Sequence, residues 1–127
     1  MPADSYPKRL RLLTSADYQR VFDKVDYKQG GSFFTFLARS NDRKNHRLGI
    51  IASKRNLPLA VSRNRVKRLI RESFRHCQQS QELARMQDQT IDVIVLAKAA
   101  SKDQSNADIL RALETQWNKI LAKAGKQ

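Results

Sequence analysis

The sequence predicts a single α+β domain spanning residues 1–127, an α/β sandwich with the element order α-β-β-α-β-α. Three segments have the pattern of amphipathic helices, and three apolar segments have the length and composition of strands. No linker, repeat or low-complexity segment divides the chain. A chain of 127 residues can bury a core without the help of a metal or a disulfide. We expect flexible ends, at about residues 1–8 and 123–127.

The three helices are predicted from their caps and their apolar periodicity. The first begins at Thr14 and the last after Ser105, because an aspartate follows each of them three positions later, as in a capping box. The central helix spans about 63–77, with Ser62 as its N-cap. Each helix carries apolar side chains at helical spacing on one face, which is the face expected to enter the core.

Three strands are predicted between these helices. SFFTFLA (32–38) alternates, which places Phe34 and Phe36 on the same face. LGIIAS (48–53) is expected to be its hairpin partner across a polar loop. TIDVIVLAK (90–98) alternates little, so we expect a central strand that is covered on both faces. The polar segment 80–89 is a loop or a short helix.

The charge of the chain indicates a polyanionic partner. Lys and Arg number 25 against 12 Asp and Glu, a formal net charge of +13. Residues 39–75 concentrate this excess, since they contain 12 basic residues and only Asp42 and Glu72 as acids. A solvated face would intersperse more acids, so this segment is interpreted as a binding surface for nucleic acid. The absence of a long apolar segment predicts a cytoplasmic protein without a membrane partner.

The predicted central helix divides into an apolar and a basic side. An apolar arc of about 140° contains Val66, Leu69, Ile70, Ser73, Phe74 and Cys77. Outside that arc lie polar and basic side chains suited to phosphate contacts, namely Arg63, Asn64, Arg65, Lys67, Arg68 and Arg71. Cations at a helix N-terminus are unfavourable unless an anion binds there. We therefore expect RNA or DNA to bind this helix.

This helix lies in a segment that resembles the signature of the bacterial ribonuclease P protein family. The resemblance covers LGIIASKRNLPLAVSRNRVKRLIRESFR (48–75) and is strongest in AVSRNRVKRLIRESFR. It extends to RLRLLTSADYQRVF (9–22), the aromatic strand, and the last strand and helix, which is nearly the whole chain. The chain departs from the family pattern at Lys54-Arg55, where two lysines are usual, and its connector NLPLAV lacks the usual glycine.

The resemblance implies a fold and a function. The fold is similar to domain 2 of ribosomal protein S5, with a left-handed βαβ crossover. The family's activity is that of an endoribonuclease whose catalyst is an RNA, which removes the 5′ leader of precursor tRNA. The protein assists by binding this catalytic RNA and the leader, and by lowering the requirement for Mg²⁺, which the RNA mainly holds. The expected partners are ribonuclease P RNA and precursor tRNA.

The resemblance also implies the site residues. Those implied to contact the RNA subunit are Arg63, Asn64, Arg65, Lys67, Arg68 and Arg71. Those implied to contact the leader are Tyr18, Phe22, Phe36, Arg11, Lys54 and Arg55. From the residues alone, Tyr18 and Phe22, one helical turn apart, are better interpreted as core side chains. Exposed rings can stack on single-stranded bases of any sequence, which suits a variable leader.

No catalytic or metal site within the protein is predicted. His46 and His76 belong to no acidic cluster and to no pattern with metal-ligand spacing, so both are interpreted as surface histidines. Cys77, the lone cysteine, is interpreted as a buried thiol that forms no internal disulfide.

Three alternatives use the same basic helix. A ribosomal or ribosome-assembly protein would bind ribosomal RNA with it and would have no enzymatic role. A DNA-binding regulator is disfavoured, because the segment before the helix is a strand and not the first helix of a helix-turn-helix. A membrane-surface role is disfavoured because the core needs the apolar arc of the helix.

Overall fold

The computed structural model describes residues 8–78 and 90–125, which form an α+β fold as predicted. The helices are α1 (Ser15–Asp23), α2 (Ala60–Gln78) and α3 (Asn106–Gly125). The strands are β1 (Tyr27–Gly30), β2 (Phe34–Ser40), β3 (Arg47–Ile51) and β4 (Ile91–Ala97). Two short 3₁₀ helices, Lys8–Leu10 and Ala99–Asp103, precede α1 and α3. The polar segment 80–89 and predicted flexible residues 1–7 and 126–127 lie outside the described residues, whereas α3 includes residues 123–125.

The four strands form one mixed sheet in the order β1-β2-β4-β3. β4 pairs antiparallel with β2 and parallel with β3, so that Val93 lies between Ala38 and Leu48. The prediction that β2 and β3 form a hairpin is therefore wrong. β4 lies between them because its side chains are apolar on both faces, and only an inner strand is covered on both faces. The central position predicted for this strand is confirmed.

Strand β1 is absent from the predicted order of elements. Its sequence, YKQG, contains no β-branched residue and ends in glycine, so propensity gives little sign of it. All four residues of β1 nevertheless pair with β2, and the ring of Tyr27 is buried. Gln116 of α3 donates from Nε2 to the Gln29 carbonyl at 3.1 Å. Tertiary contacts thus hold a strand that its own residues do not favour.

The main core lies between one face of the sheet and the helices α2 and α3. Trp117 of α3 meets Phe36 of β2 edge-on, with ring centroids 4.8 Å apart, and Trp117 Nε1 donates to Ser73 Oγ at 2.9 Å. The apolar arc predicted for α2 faces this core, since Val66 and Phe74 are buried. The cap predicted for α3 is confirmed by the bond from the Asp108 N–H to its Ser105 acceptor, 3.1 Å long.

Helix α2 begins three residues earlier than predicted. The Leu59 carbonyl accepts from the Arg63 N–H at 3.1 Å, which is the first intrahelical bond, so Ser62 lies within the first turn and not at the cap. Pro58 restricts only the residue before it to extended backbone, and the helix can start immediately after Leu59. Residue Leu57, in that extended connector, is fully buried.

Helix α1 packs on the opposite face of the sheet. Its predicted capping box is confirmed, because Thr14 Oγ1 accepts from the Asp17 N–H at 3.1 Å and the Asp17 carboxylate accepts from the Thr14 N–H at 3.2 Å. Val21 packs on Ile94 of β4 in a second, smaller core. A helix of nine residues leaves part of a four-stranded sheet uncovered.

The Asp92 carboxylate on β4 is fully buried and joins three parts of the fold. Arg47 of β3 binds it through two bonds, from Nε at 2.9 Å and from Nη2 at 2.7 Å. Arg20 of α1 donates to it at 3.3 Å, and Asn41 of the loop between β2 and β3 at 2.7 Å. A buried charge is tolerated only when it is paired in this way.

His46 is buried next to this cluster, so its interpretation as a surface histidine is wrong. Its side chain is 6% exposed, and its Nδ1 accepts from the Ile91 N–H at 3.0 Å. Burial lowers the pKa of His46 from 6.5 to about 4, against an opposing effect of the Asp92 charge. The ring is therefore neutral in the folded protein at neutral pH. His76, in contrast, is exposed as predicted.

The buried His46 predicts a loss of stability in mild acid. The unfolded chain binds a proton near pH 6.5 and the folded chain only near pH 4, so this contribution is complete above pH 6.5 and is lost as the pH falls towards 4. From pH 7.5 to 5 the free energy of unfolding should fall by about 2 kcal/mol through this group. Urea unfolding at the two pH values measures the change.

The variant His46→Asn is the control, because an amide oxygen can accept from the Ile91 N–H but does not titrate. Between pH 7.5 and 5 its free energy of unfolding should fall by less than that of the parent, because most carboxylates remain ionised over this interval. An equal loss in the parent and in His46→Asn would contradict the assignment.

Candidate nucleic-acid interface

The outer side of α2 presents a stripe of polar and basic side chains, which we call the basic stripe. It consists of Asn64, Lys67, Arg68 and Arg71. Asn64, Arg68 and Arg71 are exposed and Lys67 is half-buried. These positions follow one another at i, i+3, i+4 and i+7, so burying the apolar arc turns them away from the core. The stripe offers three cations for backbone phosphates.

Arg63 and Arg65, predicted to belong to the same surface, bind acceptors within the protein. Arg63 Nη1 donates to the carbonyls of Leu57 and Pro58 at 2.9 and 3.0 Å. Arg65 donates from Nη1 to Asn106 Oδ1 at 2.7 Å and from Nη2 to the Lys102 carbonyl at 3.1 Å. Both side chains are half-buried. They hold the connector before α2 and the start of α3 against the helix.

The basic stripe ends where an acid neutralises the next arginine. Glu72 accepts from Arg75 within the helix. The hydrogen bond from Arg75 holds the pKa of Glu72 below its usual range, and Glu72 in turn raises the pKa of Arg75. Beyond Arg71, the charge of Arg75 is therefore balanced within the helix itself.

A groove of about 540 Å³ runs beside this stripe. Its walls bring together two residues implied to bind the leader, Arg11 and Tyr18, and two implied to bind the RNA subunit, Lys67 and Arg71. Its apolar part comes from Leu12, Leu13 and Ile50. The two sets of residues that the resemblance treats separately thus meet along one groove.

Tyr18 is held at the edge of the sheet by a specific contact. Its hydroxyl oxygen accepts from the Ile50 N–H of β3 at 3.1 Å. The ring lies directly on Gly49, where a Cβ atom would come within 2.8 Å of two ring carbons. Glycine at this position lets the aromatic ring approach the strand. Tyr18 is therefore half-buried and held in place, and its side chain forms part of the wall of the groove.

Phe22 lies on α1 and is 41% exposed, which is high for a phenylalanine. The sheet face that α1 leaves partly open carries half-buried side chains of β2, β3 and β4: Thr35, Leu37, Ile51 and Leu96. Leu96 lies between Thr35 and Ile51 in register. This surface, which we call the open sheet face, is apolar enough to receive nucleobases.

Phe36 does not belong to this surface, contrary to the implied leader set. It is fully buried against Trp117 on the other face of the sheet. Alternation along β2 assigns its even-numbered residues, such as Phe34 and Phe36, to the α2–α3 side. The same alternation could have identified Leu37 as a residue of the α1 side, had the position of α1 been known.

Lys54 and Arg55 are exposed in the turn that follows β3. The next residue, Asn56, donates from Nδ2 to the Ala97 carbonyl at 3.1 Å and from its N–H to Ser53 Oγ at 3.1 Å. These bonds attach the turn that follows β3 to the last residue of β4. The two cations are thus presented by an ordered turn, next to the connector that leads into α2.

Among the described residues, no three His, Cys, Asp or Glu side chains gather as a metal site would require. Burial raises the pKa of the Cys77 thiol to about 12, so this cysteine is not a nucleophile at neutral pH. In the part of the chain covered by the structure, none of the helices is long and apolar enough to cross a membrane.

Comparison with known proteins gives a consistent result. The family model described as Ribonuclease P matches residues 6–121. The ribonuclease P protein component of Chromohalobacter salexigens is 40% identical over 127 residues, covering all of this chain and 94% of that protein. That of Marinomonas sp. is 38% identical over 121 residues, covering 95% of this chain and 86% of that protein.

Solved structures agree with the sequence relatives. The RNase P protein of Staphylococcus aureus superimposes with a TM-score of 0.75 at 30% identity, covering 88% of this chain and 97% of that one. The RNase P protein of Thermotoga maritima, at 22% identity, shares the fold with a TM-score of 0.68, covering 87% of this chain and 96% of that one. The chain belongs to the ribonuclease P protein family.

Proposed function

We propose that this chain is the protein subunit of a ribonuclease P, the endoribonuclease that removes the 5′ leader of precursor tRNA. One observation carries the proposal: the basic stripe of α2 lines a groove with Tyr18, and Tyr18 belongs to the same apolar cluster as the side chains of the open sheet face. Family membership supports the same activity. The proposed partners are the catalytic ribonuclease P RNA and precursor tRNA, and the proposed location is the cytoplasm, where this substrate is processed.

The basic stripe would bind the RNA subunit. Each phosphate that Lys67, Arg68 or Arg71 neutralises releases counterions, so the affinity should depend steeply on salt. Arg63 and Arg65 would support this surface by holding the elements around it, because their guanidinium groups already donate to protein acceptors.

The leader would lie on the open sheet face and in the adjoining groove. Phe22 offers a ring for stacking, and Arg11 and Lys67 line the groove beside Tyr18. Stacking and phosphate contacts are both independent of sequence, which suits leaders of different sequence. Leu37 and Leu96 would take the place that the resemblance assigned to Phe36.

Magnesium is proposed to belong to the RNA. The described residues do not bring together the carboxylates that a protein-held magnesium would require. The protein would contribute by screening the repulsion between the catalytic RNA and its substrate, and so lower the magnesium concentration that cleavage needs.

The overall test is reconstitution with a bacterial ribonuclease P RNA. Adding the protein should increase cleavage of precursor tRNA at low magnesium and should strengthen binding of precursor relative to mature tRNA. If neither changes while the protein still binds ribosomal RNA, the chain is an RNA-binding protein of another kind.

Removing one charge from the basic stripe should weaken binding of the RNA subunit and reduce its salt dependence. For Arg68→Gln we expect the slope of log affinity against log salt to decrease in magnitude by about 1, because one phosphate contact is lost. Filter binding or fluorescence titration at several salt concentrations measures the slope.

The variant Lys119→Gln is the matched control, since it removes one exposed charge from α3 beside the turn between β1 and β2. Its slope should remain that of the parent. If the parent, Arg68→Gln and Lys119→Gln all have the same salt slope, Arg68 does not contact a phosphate.

Removing the exposed ring of α1 should affect only substrates with a leader. Phe22→Ala should weaken binding of precursor tRNA by about 5- to 150-fold, which corresponds to one base stacked at about 1–3 kcal/mol. Binding of mature tRNA should not change. Phe22→Tyr retains the ring and should bind precursor as the parent does. A loss of the same size for precursor and mature tRNA would remove Phe22 from the leader site.

A further inference from the structure

Two aliphatic side chains are exposed beside the basic stripe. Leu59 is 65% exposed and Val61 73%, more than any other large apolar side chain in the described ranges 8–78 and 90–125. Isolated apolar residues are common on protein surfaces. These two, however, lie two residues apart at the start of α2, where polar residues normally cap and solvate a helix.

The backbone that carries them is held firmly. Leu57 is fully buried just before them, and its carbonyl and that of Pro58 accept from Arg63. The N–H of Arg63 also bonds to the Leu59 carbonyl. The outward position of both side chains is therefore fixed by the fold, and binding through them requires little further ordering.

Their neighbours on the helix are the cations already described. At 3.6 residues per turn, Val61 lies about 20° from Arg68 and about 60° from Asn64 around the axis of α2. Residues 54–71 contain no Asp or Glu. The apolar pair thus continues the basic stripe towards its N-terminal end, and the segment around it is basic and free of acids.

We propose that Leu59 and Val61 form an apolar contact with an unstacked nucleobase of the catalytic RNA, a contact that rests on the function proposed above. Charge complementarity favours RNA as the occupant, because every nucleotide beside a contacted base brings a phosphate that the neighbouring cations can bind. Structured RNA exposes bases at loops, bulges and helix ends, and proteins cover such bases with apolar side chains while cations bind the flanking phosphates. The contact would add affinity that does not depend on salt.

The test replaces both side chains, in Leu59→Ser/Val61→Ser, within the full chain bound to ribonuclease P RNA. Serine at position 59 can cap α2, so the fold should be retained, which circular dichroism and urea unfolding check. We expect the affinity to fall about 5- to 30-fold, in keeping with the apolar area lost, while the salt slope stays that of the parent. Val25→Ser, at an exposed apolar position after α1, is the matched control and should bind as the parent does.

Chemical probing of the RNA locates the contact. The parent protein should protect a small set of unpaired bases, which become reactive again with the double variant and stay protected with Val25→Ser. Unchanged affinity and unchanged protection would overturn the inference. So would a double variant that loses self-association of the protein, measured by sedimentation, but keeps its affinity for RNA.

Arg68→Gln separates this inference from the proposed function. If it reduces the salt slope while the double serine variant has no effect, the apolar contact is absent and the RNA-binding function stands. If the parent does not bind ribonuclease P RNA at all, the proposed function itself fails.

Discussion

The buried Asp92 carboxylate sets the relative positions of the sheet, the first helix and the loop between β2 and β3. It accepts from Arg47 of β3, Arg20 of α1 and Asn41 of the loop. A carboxylate without solvent needs all these donors, since the loss of one leaves a poorly compensated charge in the interior. The placement of α1 over the sheet follows from this requirement. Phe22 and the open sheet face are therefore arranged by an ion cluster whose central carboxylate is fully buried.

Helix α2 belongs to the core and to the interface at once. Its apolar arc packs on the sheet and on Trp117, and this packing fixes the direction of every side chain on the opposite side. Arg63 and Arg65 show that a basic segment is not uniform, because hydrogen bonds to the protein occupy guanidinium groups that the composition alone would count as free. A polyanion that binds as proposed would meet a smaller set of cations, carried by a helix whose position the core fixes, which would lower the ordering cost of binding.

The parts of the structure that follow from local pattern were predictable from the sequence. The cap at Thr14, the apolar arc of α2 and the central strand β4 all depend on spacing within one segment. The order of strands was not predictable, since β1 and the separation of β2 from β3 depend on pairing across the whole chain. Phe36 shows the same limit for the site. Alternation placed it beside Phe34, but only the positions of α1 and α3 decide which face of the sheet is the core.

The position of β4 at the centre of the sheet has a consequence for the order of events during synthesis. β2 and β3 do not pair with each other. β4 must insert between them, which is possible only after the chain has been synthesised as far as Ala97. Pairings this distant in sequence form slowly, because a long loop must close before any of them is made. During that interval the segment of α2 has already been synthesised, and its apolar arc has no complete sheet to cover. Until β4 is in place, the chain therefore exposes basic and apolar side chains together, a combination that favours non-specific binding and aggregation.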